Sequence, residues 1–488
     1  MSVQFFDTLT RRKEIFQPLR GKVVGMYSCG PTVYNFAHIG NFRAYVFADL
    51  LRRYLLHKGY DVIQVMNLTD VDDKTIKKAK EENLSLKEVT EKYGAEFFDD
   101  VKRMNILPAS IYTKATDHIN EMIEIIKDLL DKGIAYKGKD GSIYFSISKF
   151  PAYGELAHLD SKGLKAGARV KQDEYTKDQV QDFALWKAWD KEDGDVFWET
   201  ELGKGRPGWH IECSAMSMKY LGHSFDIHTG GVDLIFPHHQ NEIAQSEGST
   251  GKKFVNHWLH NEHLMVKGKK MAKSLKNFYT LRDVLSKGYE PRFIRYTLLA
   301  THYRQQLDFS FEGLDAAKGA LARLDDFLRK IKTHKGAAYL QDVSGLTKKC
   351  KESFERCMDD DLSIAEALAA VFEFVREVNR ITESKRVGEK NVAEILKMFE
   401  GFDKVLGLDI GKEKVVEGLE EKVIELASKF FEKGIKGDME SVIRELIRLR
   451  NDYREKKEFK KADSIRDGLK KIGILLEDED GKTDWKIA

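Results

Sequence analysis

The chain has 488 residues, 42% hydrophobic and 33% charged, with 81 Lys and Arg against 79 Asp and Glu, a formal net charge of +2. This length exceeds one comfortable core and predicts two to four domains, and the composition excludes a disordered or collagen-like chain. Four cysteines cannot frame a chain this long with disulfides, no apolar run approaches the ~20 residues of a membrane span, and the near-neutral total neither demands nor excludes a polyanionic partner.

Residues 1–20 mix charges with apolar residues and do not read as a secretion signal, so a reducing, cytoplasmic setting is expected. Residues 23–27 read as a buried strand that runs into a turn at 28–32. Phe42, Tyr45, Val46, Asp49, Leu50, Arg53 and Tyr54 recur three or four apart and predict a helix to residue 57. Residues 61–68 read as a second strand. Strand, helix, strand at this spacing is a βαβ unit, hence an α/β fold of Rossmann type with a mostly parallel sheet. Ligands in such sheets bind beyond the carboxyl ends of the strands, which puts residues 29–41 and 69–74 on one rim.

Residues 86–133 read as helical. Residues 134–205 change character, with short strands, many glycines and mixed charge, and read as a connecting insertion. The α/β pattern resumes near Trp209, with a strand at 224–228, a helix at 237–247 and strand-like residues from 253 to 271. From Pro291 almost everything reads as helical, with turns near the glycines at 388, 407 and 411. The tail reads as a helix from about Ala462, followed by short strands. The expected domains are 1–133 and 206–290 as two halves of an α/β domain split by 134–205, then 291–410 as a helical bundle, then 411–488 as a small C-terminal region. Residues 444–471 carry eleven Lys or Arg and six acids, which is a solvated helix face or a polyanion contact.

Eight of the fourteen histidines lie between 210 and 263, beside Cys213. His238 and Glu242 are four apart, so on a helix they share a face. With Cys29 and Cys213 they would offer two thiolates, an imidazole and a carboxylate, all acceptable to a tetrahedral zinc ion. His239 is the competing imidazole, about a third of a turn away. A surface helix pair and two buried, inert cysteines would read the same way from spacing alone. Cys350 and Cys357, seven apart, read as helix packing.

Three segments suit a nucleotide. In the turn ending His38-Ile39-Gly40-Asn41, Gly40 would let a ligand approach the backbone at a helix start, and His38 could follow charge on an α-phosphate. In His228-Thr229-Gly230-Gly231-Val232-Asp233, the glycines suit base or ribose, and Asp233 could accept ribose hydroxyls. Lys267-Gly268-Lys269-Lys270-Met271-Ala272-Lys273-Ser274 is a cationic loop able to close over a triphosphate. No Gly-x-x-x-x-Gly-Lys-Ser/Thr loop is present, which excludes a P-loop enzyme.

Together these pieces resemble class I aminoacyl-tRNA synthetases, specifically the cysteinyl-tRNA synthetases. His38-Ile39-Gly40-Asn41 resembles the HIGH signature with Asn in its last place. Lys270-Met271-Ala272-Lys273-Ser274 resembles KMSKS with Ala in its middle. Cys29–Tyr34, Asn67–Lys74, Gly208–Ser214, Phe236–Glu242 and the tail from Ala462 to Asp478 resemble further segments of the same family, so the likeness runs nearly end to end. The resemblance implies Zn2+ on Cys29, Cys213, His238 and Glu242, meeting the sulfur of L-cysteine. It implies Thr69, Trp209 and His228 around the amino acid, and His38, Gly40, Asn41, Gly231, Asp233, Lys270 and Lys273 around ATP and its Mg2+. It further implies tRNA(Cys) as acceptor, a catalytic role for 1–133 with 206–290, a stem-contact region within 291–410, an anticodon-binding role for residues 411–488 and a monomeric enzyme. Asn41 cannot carry positive charge, so His38 and the lysine loop would bear more of the transition-state charge. A zinc ligase that joins activated cysteine to a small amine, or a non-enzymatic RNA-binding module, are the alternatives; the basic C-terminal stretch speaks against the first and the complete ligand set with the lysine loop against the second.

Overall fold

The computed structural model describes residues 2–159, 169–170, 181–271, 277–333, 335–336, 338–412, 419–431, 438–479 and 482–487. The chain divides into two compact units, residues up to 410 and residues from 411.

At the centre of the first unit lies a five-stranded parallel sheet in the order Val255–Asn261, Phe225–Gly231, Val23–Ser28, Asp61–Leu68, Ile111–Lys114. Chain order runs outward on one side from Val23–Ser28 and resumes on its other side with Phe225–Gly231. The crevice between these two strands is therefore the switch point where α/β sheets bind ligands. Cys29 and Gly231 leave the sheet at this crevice, and Thr69 leaves it one strand away.

The strand Ile111–Lys114 overturns part of the helical reading of residues 86–133. The helix Leu86–Arg103 ends where Asn105 turns left-handed (φ 50°), and Pro108 keeps it from resuming. A four-residue strand is too short to show its own period. The helix Ile119–Asp131 follows it.

Residues 135–207 form an antiparallel sheet in the order Trp198–Thr200, Gly203–Pro207, Asp182–Ala188, Ile143–Phe145, Ala135–Lys137, with Arg169–Val170 beside Asp182–Ala188. This sheet is not a separate bead. Ile143, Phe145, Phe183 and Trp186 share one core with Ile211, Cys213 and Ala244, so the insertion packs on the helices that carry the metal-binding candidates. Gly208 donates its N–H to Leu185 O at 2.9 Å and hands the sheet directly to the helix Trp209–Leu221.

Beyond Pro291, which opens the helix Pro291–Ala300 at its first turn, come four long helices, Phe311–Thr333, Gln341–Asp359, Ile364–Thr382 and Glu389–Leu406. Among them sits a strand that helical periodicity hides. Leu307–Phe309 pairs in parallel with Leu264–Val266, which itself pairs antiparallel with Lys269–Lys270. Arg295, 0% exposed, ties this region to the catalytic sheet's first helix by bonding Asp49 and the carbonyls of Leu406, Met104 and Asn105. Cys350 is buried among apolar residues of this bundle, as expected of a packing residue.

The second unit holds the helices Leu419–Ser428, Met439–Glu455 and Phe459–Lys471 and the hairpin Ile474–Glu479 with Lys482–Ile487, around Val423, Ile443, Leu446, Ile465 and Leu469. Arg450 grips Asp478 with two bonds of 3.0 and 2.7 Å and joins helix to hairpin. Among the described residues, no helix is long and apolar enough to cross a membrane.

Candidate active site and metal centre

Three chain segments build the metal cluster. Cys29 leaves the strand Val23–Ser28, Cys213 sits in the first turns of the helix Trp209–Leu221, and the turn Ile235–His239 runs into the helix Gln240–Thr250. Phe236 has extended backbone angles (φ −138°, ψ 132°) immediately before Pro237. From there the chain coils, so that Glu242 follows His239 by three residues and His238 by four. Both spacings bring side chains together on a helical face.

One ligand atom each from Cys29, His238, His239 and Glu242 lies within 4.8 Å of the others. Cys29 Sγ is 3.3 Å from His239 Nε2, His238 Nε2 is 3.0 Å from Glu242 Oε1, and His239 Nε2 is 3.9 Å from Glu242 Oε1. A tetrahedral zinc ion with bonds of ~2.0–2.3 Å has edges of roughly 3.3–3.7 Å, so these separations suit such an ion. Glu242 Oε1 is buried and, despite its closeness to His238, lacks hydrogen-bond alignment, as expected of an oxygen aimed at a metal. Cys213, 0% exposed, lies within hydrogen-bonding reach of both Cys29 and His238. All four sequence-predicted ligands therefore converge, and His239 joins them: the imidazole expected to point aside is brought in by its three-residue spacing to Glu242.

Each donor's remaining atom is held. His238 Nδ1 is 2.9 Å from His210 Nδ1; His239 Nδ1 is 2.7 Å from His260 Nε2, whose Nδ1 is 2.8 Å from Thr8 Oγ1; Glu242 Oε2 is 2.9 Å from His228 Nε2. Such outer partners fix ring orientation and ligand basicity. From sequence His239 stood only as the competing imidazole, and His210 and His260 were contained only in the crowding of histidines.

The electrostatics suit a cation. Burial, assisted by the neighbouring thiol and carboxylate, pushes the Cys213 thiol well above its usual range. Burial also raises Glu242, but His228 and His238 override it and hold the carboxyl down to about 2. Burial would lower His238, but Cys213 and Glu242 override it and hold the ring up to about 10. His239 is pushed well below its usual value by burial among His228, His260 and His238. Metal-bound sulfur is thiolate and metal-bound imidazole is neutral, so a divalent ion on these donors would displace their protons.

Trp209 stacks on His238, ring centres 4.1 Å apart at 24°. Thr69 Oγ1 accepts from Asn67 Nδ2 and donates to Glu212 Oε2, both at 3.1 Å. His228 is fully buried, stacked on Trp258 at 4.7 Å, with its Nε2 turned to Glu242. Gly230 lies under the His239 ring; a Cβ there would fall 2.6 Å from His239 Cε1.

On the nucleotide side, His38 caps the helix Ile39–His57 and exchanges bonds with Asn41. Asn41 N–H donates to His38 Nδ1 at 3.2 Å, and His38 N–H donates to Asn41 Oδ1 at 3.1 Å. An Nδ1 that accepts a backbone N–H is unprotonated, so the ring's proton sits on Nε2. Burial, against the opposing charge of Asp233, lowers His38 to about 4 and so favours the neutral ring. Asn41's cap consumes its oxygen and leaves its amide nitrogen as the donor end. Asp233 lies close enough to act electrostatically on both His38 and Cys29, and its Oδ1 stands 2.4 Å from where a Gly231 Cβ would be. Lys270 is exposed on the short strand Lys269–Lys270, and its carbonyl accepts from Asn277 Nδ2 at 3.1 Å. Met271 Cε lies 2.8 Å from where a Gly40 Cβ would be, so the close approach at Gly40 requires a residue without a side chain. Lys273, with Ala272 and Ser274, lies outside the described residues.

The chain is similar to known proteins over nearly its whole length. Residues 15–319 match the family model of the class I (C) tRNA synthetase catalytic domain, and residues 353–410 match the DALR domain. Cysteine–tRNA ligases of Brachyspira hyodysenteriae, Protochlamydia amoebophila and Koribacter versatilis are 48%, 46% and 44% identical, over 99%, 98% and 100% of this chain and 99%, 96% and 100% of theirs. In fold, the chain is similar to Mycobacterium tuberculosis methionyl-tRNA synthetase in complex with methionyl-adenylate (TM-score 0.58, 14% identity, 79% of this chain and 90% of that one). With a synthetase catalytic domain matched over more than half its length and ligases of one amino acid matched end to end, this chain belongs to the cysteinyl-tRNA synthetase family of class I aminoacyl-tRNA synthetases.

Proposed function

We propose that this chain activates L-cysteine with ATP, releasing pyrophosphate to form cysteinyl-adenylate, and transfers the cysteine to the 3′-terminal ribose of tRNA(Cys). The observation that carries this reading is the buried convergence of two thiols, imidazoles and a carboxylate beside the nucleotide rim. Cys29, Cys213, His238 and Glu242 hold Zn2+, with His239 braced against Cys29. When bound, zinc supplies a soft Lewis acid that lowers a thiol's pKa and favours sulfur over the hydroxyl of serine. An apolar pocket alone would separate such analogues by only ~1–3 kcal/mol.

Trp209, Thr69 and His228 surround the amino acid. Its carboxylate is already ionised and attacks the α-phosphorus of ATP without a general base. His38 Nε2–H and the Asn41 amide donate to the phosphate oxygens, Gly40, Gly231 and Asp233 accommodate nucleoside and ribose, and Lys270 and Lys273 stabilise the departing pyrophosphate with Mg2+. A terminal ribose hydroxyl of the tRNA, the 2′-hydroxyl first, then attacks the adenylate carbonyl. Residues 411–488 bind the anticodon. There Arg444, Arg448, Asn451, Thr483 and Trp485 line a cleft of about 290 Å³, with cations for the backbone and an indole for stacking. The enzyme works as a cytoplasmic monomer.

Cysteine and serine are compared in ATP–pyrophosphate exchange with zinc-loaded and zinc-stripped protein. The loaded enzyme is expected to use cysteine alone; equal efficiency for the two amino acids overturns the reading.

A further inference from the structure

The described residues on either side of 272–276 are tied to the helix Ile39–His57. On the far root, Ile39 N–H donates to Tyr279 O at 3.0 Å, Leu281 N–H to Ala37 O at 3.4 Å, and His38 meets the Phe278 ring edge-on at 5.1 Å. These are backbone ties beside His38 itself.

The near root is tied differently. Arg43, one turn beyond Ile39 and 2% exposed, spends its guanidinium on four carbonyls: Leu298, Thr301 at 3.0 Å, His302 at 2.8 Å and Gln305 at 3.4 Å. Four residues on, and so on the same face, Phe47 stacks on Tyr303 at 4.3 Å and 14°. The gripped segment is zipped to the lysine hairpin. Glu262 N–H donates to Tyr303 O at 2.8 Å, Leu307 N–H to His263 O at 3.2 Å, Leu307–Phe309 pairs with Leu264–Val266, and Gly268 N–H donates to Asp308 Oδ1 at 3.2 Å. The hairpin partner Met265 pairs with Lys270. Side-chain bonds from Arg43 thus reach Lys270 through one continuous, hydrogen-bonded path.

We propose that Arg43 is a positioning residue for nucleotide activation, setting the root of the lysine loop against His38 and Asn41 through the segment 298–309. This rests on the cysteine-activating reading above. Arg43 touches no part of the metal cluster, so its loss acts on the ATP side alone. A planar fork can satisfy several carbonyls at once, whereas a lysine ammonium in its place reaches one or two.

The test is ATP–pyrophosphate exchange on the full, zinc-loaded chain carrying Arg43→Met or Arg43→Lys, with zinc content and thermal unfolding measured alongside. Misplacement of about 1 Å costs up to ~10²-fold, so Arg43→Met is expected to lower kcat/KM for ATP by ~10- to 100-fold, Arg43→Lys by less, with cysteine KM and zinc content within about twofold of wild type. Wild-type ATP parameters in a folded Arg43→Met variant overturn the proposal. So does a loss that cysteine KM and zinc content share, since a general structural role would move all three. Should Arg43→Met fail to fold, Arg43→Lys decides by the same criteria. Absence of cysteine-dependent exchange in the wild type would instead remove the reading on which the proposal rests.

Discussion

The metal cluster and the lysine hairpin face the same rim and are built on opposite principles. In the cluster, Cys213, His238, His239 and Glu242 are at most 1% exposed, and the imidazoles and the carboxylate each have their second atom fixed by another buried side chain. At the hairpin, Lys267, Lys269 and Lys270 are exposed, and position comes from backbone pairing and remote anchors. A site that must tell sulfur from oxygen profits from over-determined geometry. A site that must admit a triphosphate and release pyrophosphate profits from charge carried on exposed side chains.

Three experiments break or sharpen this contrast. The largest effect is expected in the cluster: Cys29→Ala or His238→Ala should abolish stoichiometric zinc and lower cysteine-dependent pyrophosphate exchange on the order of 10³-fold, read by metal analysis and exchange rate. Retention of zinc and activity in both variants would mean that these residues do not hold the metal. Next, Lys270→Ala should lower kcat by ~10²-fold with cysteine KM unchanged, because its charge acts on the leaving group. A rise in cysteine KM at constant kcat would place it on the wrong side of the comparison. The smallest effect is His38's. Its folded pKa of about 4 lies below the ordinary value near 6.5, so the folded state disfavours the proton. Its contribution to stability is complete above pH ~6.5 and is lost as pH falls through about 4. NMR of the His38 ring proton should show a single titration near 4; a midpoint near 6.5 would make the ring a cation donor at mildly acidic pH.

Much of the architecture was legible because it is periodic. The helix Ile39–His57 and the strand Asp61–Leu68 carry enough apolar repeats to declare themselves, and together they specify a parallel sheet. Ile111–Lys114 and Leu307–Phe309 did not, because three or four residues span less than two strand periods and both lie between strong helices. At the site, the sequence pointed to Cys29, Cys213, His238 and Glu242 through residue type and likeness to a family. It offered His239 only as a competing imidazole and held His210 and His260 only within the histidine cluster, because their place depends on which ring nitrogen faces which neighbour, a property of packing rather than of spacing. Arg43 was invisible for the same reason: all four of its partners are backbone carbonyls more than 250 positions away.

Gly230 carries no functional group and stands on a strand, yet its missing side chain is the floor on which the His239 ring rests. Even a methyl there would act as a wedge, tilting the imidazole off Cys29 and loosening the hold on His260 behind it. Tolerance to change at this position is therefore governed by the metal rather than by the sheet, and an alteration that looks conservative on paper would present in the laboratory as a binding defect.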